Sequence, residues 1–218
     1  MLNRSTIKLL IFALAALIQS TPIWGGERTD LADKPVELAR FGVVFHGPRD
    51  WYTPDPDVIL DNLRKLDSEK ENLREILASH GRSMVIATYL KHDPRRHQGM
   101  VPTINVLGIA SSHKTFDHFR AMIAASARSI GSVLQNYVVK TEPTERILAG
   151  RRVVFFVAEY DISTRDGVTR RVSGTTYAIP CGEIFLQVSM SESLPVKHSE
   201  LFASFINSFT FKKPGQAL

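Results

Sequence analysis

RVVFFVAEYDISTRDGVTRRVSGTTYAI, residues Arg152–Ile179, is the clearest β-sheet signal in the chain. It is rich in valine, phenylalanine, tyrosine and isoleucine, which favour strands. Asp166-Gly167 divides it, and an Asp-Gly pair between two apolar strands is a strong signal for a tight β-hairpin. The stretch therefore predicts two long antiparallel strands joined by a two-residue turn.

The open end of this hairpin is apolar on both faces. A two-residue turn at Asp166-Gly167 would place Val154 opposite Ile179, with Val153 and Phe155 on the other face. A sheet that is apolar on both faces has to be covered on both. We therefore expect further elements on each side of the hairpin, with helices on at least one.

Further strands and helices are predicted before and after the hairpin. The strands predicted from apolar and β-branched runs are Val36–Phe45, Ser83–Leu90, Thr103–Ala110, Tyr137–Lys140, Glu145–Ala149 and Glu183–Met190. Apolar residues at spacings of three and four predict a charged helix over 55–80, a second from Thr115 to about Tyr137, and a third over Val196–Asn207. Strands in a meander with separate helices predict an α+β fold, an antiparallel β-sheet flanked by helices.

The first 20 residues have the three-part pattern of a secretory signal. Arg4 and Lys8 precede the uncharged run Leu9–Ile18, and Gln19 and Ser20 follow it. The run is about half of the ~20 residues that a membrane-spanning helix needs. We therefore expect residues 1–20 to be a cleaved signal peptide, so that the protein is periplasmic or secreted without a permanent membrane span. An uncleaved anchor is the alternative.

The remaining 198 residues (218 − 20) suit one domain with a core of its own. The mix of Gly, Pro and charges over 21–35 predicts a flexible leader, and 36–213 a single domain. Without Arg4 and Lys8 the charge is +3 (25 basic, 22 acidic residues), with no basic stripe of the kind that binds nucleic acid. Cys181 is the one cysteine, so neither an internal disulfide nor a four-cysteine zinc site can form.

One charged loop is a candidate binding site. The connector between the predicted strands Ser83–Leu90 and Thr103–Ala110 contains His92, Arg95, Arg96 and His97. Such a basic, exposed loop could contact anionic headgroups, phosphate or an acidic envelope protein; a solvated loop without a role is the alternative. The two histidines, five residues apart, lack the convergent partners that zinc requires, so we expect no metal there.

Catalytic motifs are not recognisable in the sequence. It has no G-x-S-x-G element and no glycine loop for phosphate, and no cofactor is predicted. Glu159 and Asp161 lie two apart on one face of a predicted strand, a spacing that could serve acid–base chemistry, although solvated or arginine-paired carboxylates are commoner. Together with His46 they are the residues from which a scattered, hydrolase-like site could be assembled.

Four segments resemble PsbP-like domains: Phe41–Trp51, Gly174–Tyr177, Glu183–Ser189 and Ile206–Phe209. The resemblance spans most of residues 38–211 and implies a sandwich of an antiparallel sheet between helices. It also implies a binding or assembly accessory, since members of this family mostly are not enzymes. The charged helix at 55–80 departs from the photosynthetic members, and no metal-binding position matches, so a photosynthetic role is not carried over.

The sequence therefore supports two hypotheses. The first is a non-catalytic binding or accessory protein of the cell envelope, with an unknown ligand. The second is an envelope enzyme with a site assembled from His46, Glu159 and Asp161.

Overall fold

A six-stranded antiparallel sheet runs through the middle of the protein. The computed structural model describes residues 17–19, 31–54, 83–93, 96–163 and 168–212. In chain order the elements are β1 (Leu17–Gln19), β2 (Val36–Leu38), β3 (Val43–Phe45), β4 (Ser83–Leu90), β5 (Gln98–Met100), β6 (Thr103–Ala110), α1 (Phe116–Ser129), β7 (Gln135–Leu148), β8 (Arg151–Ser163), β9 (Thr169–Cys181), β10 (Ile184–Ser193), α2 (Ser199–Asn207) and β11 (Thr210–Phe211). The central sheet has the order β4-β6-β10-β9-β8-β7, which confirms the predicted α+β class. The predicted helix at 55–80 and the predicted turn at 166–167 lie outside the described residues.

α1 covers one face of this sheet. Thr115 caps it as predicted, because its side chain accepts a hydrogen bond from the backbone N–H of His118. Phe119 and Ile123 pack against apolar residues of β6, β8 and β10, and the ring of Phe119 lies 5.5 Å from that of Phe185. The α-helix ends at Ser129 and a 3-10 turn follows, so the prediction that it extends to about Tyr137 was wrong.

α2 covers the opposite face together with a small sheet of order β11-β3-β2. The rings of Phe45 and Phe209 stack at 4.7 Å, and Phe205 meets Phe45 edge-on at 5.8 Å. All three side chains are fully buried. The prediction that both faces of the hairpin must be covered is therefore confirmed, with helices on both sides.

The first predicted strand is interrupted. A 3-10 turn over Ala39–Phe41 separates β2 from β3, and Gly42 follows it with φ +61°. A Cβ at Gly42 would lie 2.6 Å from the carbonyl oxygen of Lys212, so only glycine fits this crossing. The chain already packs before β2, because Leu31 pairs with Pro48 and contacts the core; the domain boundary at residue 36 stays a prediction.

The hairpin of β8 and β9 has a different register from the predicted one. Val154 lies opposite Ala178 and not Ile179, and the last pair is Ser163 with Thr169. This register differs by one residue from the one that a two-residue turn at Asp166-Gly167 would give, and the turn itself lies outside the described residues. Side chains alternate between the two faces of a sheet. A shift of one residue therefore gives each residue of β8 a different cross-strand partner on β9, on both faces.

β7 forms one edge of the central sheet. Two short strands were predicted here, yet a single strand of 14 residues pairs with β8. Its register shifts at three places, the last of them between Thr141 and Thr144. Pro143 lies at that shift, and proline is tolerated at an edge because it has no N–H to donate to a ladder.

At the start of the chain, β1 pairs antiparallel with β5 in the full-length chain. Among the described residues, no helix has the length and hydropathy needed to cross a membrane.

Candidate functional site

The histidines of the predicted binding loop lie together. The rings of His92 and His97 stack at 4.3 Å. Burial lowers the pKa of both, and the charges of His97, Lys91 and His198 lower that of His92 further. Arg96 is exposed and its backbone N–H donates to Asp93, whereas Arg95 lies outside the described residues. The lowered pKa values favour the neutral form of both imidazoles, and binding of an anionic partner by this loop stays a prediction.

The three residues of the enzyme hypothesis do not come together: Glu159 and Asp161 share one partner, and His46 has another. Glu159 and Asp161 bind the guanidinium of Arg171 at 3.4 and 3.1 Å. The pKa of Asp161 is lowered, first by a hydrogen bond from Asn136 and then by one from Arg171. The Nδ1 atom of His46 instead lies 2.8 Å from the carbonyl oxygen of Ala32. Within the described ranges, no group of three His, Cys, Asp or Glu side chains could hold a metal ion.

Cys181 is a buried thiol. Burial raises its pKa, and the neighbouring Arg151 only partly opposes this effect. A thiol with a raised pKa is a poor nucleophile at neutral pH because the thiolate is scarce.

A groove of about 180 Å³ lies between α2 and the sheet. β9 contributes alternate residues, whose side chains point to the same face of the sheet. The residues that α2 contributes lie three or four positions apart along one face of the helix. Its lining residues are Ser173, Thr175, Tyr177, Met190, Glu192, Val196, Ser199, Phe202, Ala203 and Ile206. We call this cavity the α2 groove.

The α2 groove changes from polar to apolar along its length. At one end Ser173 lies directly opposite Glu192 in the pairing of β9 with β10, and Ser199 begins α2 nearby. Further along the same strand pair, Thr175 lies opposite Met190, and α2 presents the buried Phe202. One end of the groove is thus hydroxyl and carboxylate, while the other is mainly aliphatic and aromatic.

Glu192 holds the polar end in place. Its side chain is only 3% exposed, and its Oε2 lies 2.6 Å from Nδ1 of His198. The backbone N–H groups of Lys197 and His198 also donate to its two oxygens, each at 3.1 Å. These groups precede the first turn of α2, where the partial positive charge of the helix favours an anion. A carboxylate from β10 therefore fixes the start of α2 and forms part of the polar end of the groove.

His198 is enclosed by aromatic rings. Trp51 meets it edge-on at 6.1 Å, and Phe202 lies 6.3 Å away. Because the charge of His198 lowers the pKa of His92, the predicted binding loop lies within electrostatic reach of this end of the groove.

Neither Glu192 nor His198 was identified from the sequence. The available signal was an acidic residue between the predicted strand Glu183–Met190 and the predicted helix start. A carboxylate there is suited to cap the helix. The sequence alone did not show that it would be almost fully buried.

A second cavity lies on the α1 face, beside Tyr137 and Tyr160. Both hydroxyls are buried without a hydrogen-bond partner in the part of the chain that is described, and the two rings are 6.5 Å apart. Burial, aided by the charge of Glu142, raises the pKa of Tyr137 to about 12. The cavity measures about 30 Å³, enough for one or two water molecules and too little for an organic ligand.

No protein-family model matches the chain, and no curated protein matches its sequence. Three solved structures have a similar fold. LpqN of Mycobacterium tuberculosis, described as involved in cell envelope biogenesis, is 14% identical with a TM-score of 0.45, and the match covers 83% of this chain and 90% of LpqN. The Ran-binding protein Mog1p of Saccharomyces cerevisiae is 10% identical with a TM-score of 0.43, over 84% of this chain and 96% of Mog1p. PsbP of the cyanobacterium Synechocystis is 13% identical with a TM-score of 0.46, over 88% of this chain and 98% of PsbP. A PsbP protein is thus among the solved structures that are similar to this chain.

Proposed function

We propose that this chain is an exported, non-catalytic binding protein of the cell envelope that holds a small amphiphilic molecule in the α2 groove. The observation that carries the proposal is the gradient in the groove, from Glu192, Ser173 and Ser199 at one end to Phe202 and Ile206 at the other. Ligand sites in proteins combine an apolar lining with a few polar groups that orient the ligand.

The size of the groove limits what it can hold. An engineered apolar cavity of about 150 Å³ in another protein binds benzene. A groove of about 180 Å³ should therefore enclose a ligand, or the end of a longer one, only slightly larger than benzene.

The lining residues support binding without catalysis. Glu192 already accepts three hydrogen bonds that hold α2 in place, so it is a poor general base. In the described structure, no histidine or carboxylate hydrogen-bonds to the hydroxyls of Ser173 or Thr175, as an activated nucleophile would require.

Export is supported by the signal pattern in residues 1–20. We expect the protein isolated from the periplasm or the medium to begin near residue 21. Sequencing its N terminus after fractionation tests this, and a cytosolic protein that begins at Met1 would contradict it.

A fragment screen tests the groove itself. Residues 21–218 would be screened by ligand-observed NMR against small amphiphilic compounds. Ala203 is exposed on α2 and lines the groove, so Ala203→Phe should fill it without disturbing the core. Asn207→Phe is the matched control, because Asn207 is exposed on the same helix but does not line the groove.

We expect compounds that bind the wild-type protein and Asn207→Phe but not Ala203→Phe. If every compound that binds does so equally in Ala203→Phe, or if none binds, the α2 groove is not a ligand site.

A further inference from the structure

A cation from the edge strand β7 lies beside the α2 groove. The Cζ atom of Arg146 is 3.8 Å from the centre of the Phe155 ring, and that ring is 4.9 Å from the ring of Tyr177, its cross-strand partner on β9. Tyr177 lines the groove. The guanidinium therefore stacks on the sheet next to the groove wall, although Arg146 remains exposed to solvent.

The charge of Arg146 is not paired within the described part of the chain. Two other arginines of the central sheet bind carboxylates, since Arg152 lies 2.6 Å from Glu145 and Arg171 lies 3.1 Å from Asp161. Arg146 has no such partner among the described residues, and its guanidinium contacts aromatic side chains instead. A guanidinium that stacks on a ring through its flat face keeps the N–H groups along its edge for a planar anion.

Tyr177 adds a hydroxyl group to this cation. Burial raises the pKa of Tyr177, and the charge of Arg146 and its hydrogen bonding to the hydroxyl partly oppose that rise. A guanidinium can only donate, so the phenol oxygen is the acceptor in this contact and its O–H is left to donate to a ligand. Guanidinium N–H groups and a phenol O–H thus lie together, and both are suited to a carboxylate.

Glu192 does not oppose an anion at this position. It lies opposite Ser173, and Tyr177 is four residues further along β9, which corresponds to about 13 Å at ~3.3 Å per residue. This distance exceeds the ~8 Å over which physiological salt screens exposed charges. The carboxylate of Glu192 also already contacts the imidazole of His198 and two backbone N–H groups.

We infer that the α2 groove binds a small organic carboxylate, with the carboxylate group at Arg146 and Tyr177 and the apolar body on Phe202 and Ile206. The inference rests on the proposed function, because it assigns the ligand class of the same groove. A carboxylate accepts from the guanidinium and the hydroxyl at once and carries the opposite charge. An alcohol has no charge to offer, and an ammonium group would be repelled by Arg146.

Three probes with a similar apolar body test the head group. These are phenylacetate, 2-phenylethanol, and 2-phenylethylamine, which is an ammonium ion at neutral pH. Each would be titrated into residues 21–218 while amide chemical shifts are recorded by NMR. We expect phenylacetate to bind about tenfold more tightly than the alcohol, since charge-assisted hydrogen bonds are roughly twice as strong as neutral ones. The amine should bind more weakly than the alcohol.

Arg146→Gln removes the charge but keeps a planar polar group that can lie over Phe155. It should weaken binding of phenylacetate about tenfold and leave binding of the alcohol nearly unchanged, whereas Arg146→Lys should keep part of the preference. Tyr177→Phe keeps the ring and should weaken phenylacetate several-fold. The matched control is Arg128→Gln, because Arg128 is exposed on α1, which covers the opposite face of the sheet.

Three results would overturn the inference while leaving the proposed function intact, provided that Ala203→Phe abolishes the binding. They are equal affinity for phenylacetate and the alcohol, preferential binding of the amine, and unchanged affinity for phenylacetate in Arg146→Gln. Failure of all three probes would also overturn it, and the fragment screen then decides separately whether the groove binds any small molecule.

Discussion

Replacing Glu192 by alanine should destabilise the protein strongly. The substitution removes the common acceptor for the backbone N–H groups of Lys197 and His198 and for the imidazole of His198. His198 is buried, so its N–H and its ring would lose their partner away from water. Lys197 is exposed, and its N–H can bond to solvent instead.

The expected loss in the free energy of unfolding is about 3–5 kcal/mol. Three hydrogen bonds to a charged acceptor, at about 1.5–3 kcal/mol each, would give a larger sum. Solvation of the Lys197 N–H and entry of water from the groove reduce it towards the value of about 3–5 kcal/mol that is typical when one partner of a buried ion pair is removed. Such a loss is a large part of the 5–15 kcal/mol by which a domain is usually stable.

Urea unfolding followed by far-ultraviolet circular dichroism measures this loss. His198→Ala is the comparison, because it removes the imidazole contact but leaves the two backbone N–H bonds to Glu192. We expect it to cost less than Glu192→Ala, and the double variant to lose less than the sum of the two. A loss below about 1 kcal/mol for Glu192→Ala, or simple additivity, would refute the assigned role of the carboxylate.

Three further outcomes follow from local geometry. Gly42→Ala should cost at least about 1–3 kcal/mol in urea unfolding, because φ is positive and the new Cβ would meet the carbonyl of Lys212; a neutral effect would contradict this. Thr115→Ala should cost about 1 kcal/mol by losing the cap on the His118 N–H, whereas Thr115→Ser should keep most of it. Since the folded pKa of Tyr137 is about 12 and its ordinary value is 10.0, the unfolded state binds fewer protons between these values, and stability should fall as pH rises through that window. Tyr137→Phe should reduce the fall in the free energy of unfolding between pH 10 and pH 12. An unchanged fall would contradict the raised pKa of Tyr137.

Elements with a strong local pattern could be predicted from the sequence. The stretch Arg152–Ile179 predicted two long strands covered on both faces, and the structure has them as β8 and β9. Thr115 was identified as a helix cap because capping depends on a side chain and an N–H only three residues apart. In each case the pattern or contact involves residues close in sequence, so the sequence alone contains the information needed to predict it.

Features that depend on strand register or on the shape of an irregular connection could not be predicted. The register of β8 against β9 is one residue from the predicted one, since an Asp-Gly pair favours a turn but does not specify where pairing ends. The contacts of Glu192 join residues only five and six positions apart, but they form because the chain turns back between β10 and α2, and the sequence contained no signal for the shape of that turn. The stacking of His92 on His97 was also missed, because a spacing of five indicates no contact in a regular helix or strand.

The irregular edge strand has a consequence for how the protein folds in the presence of other copies of itself. An open sheet edge offers unpaired N–H and C=O groups to the edges of other molecules, and natural proteins guard such edges with bulges, charges and proline. β7 combines three register shifts with Pro143 and the charged Lys140 and Glu142. A second copy can therefore match only short pieces of this edge, which should keep newly folded molecules from joining into a continuous intermolecular sheet.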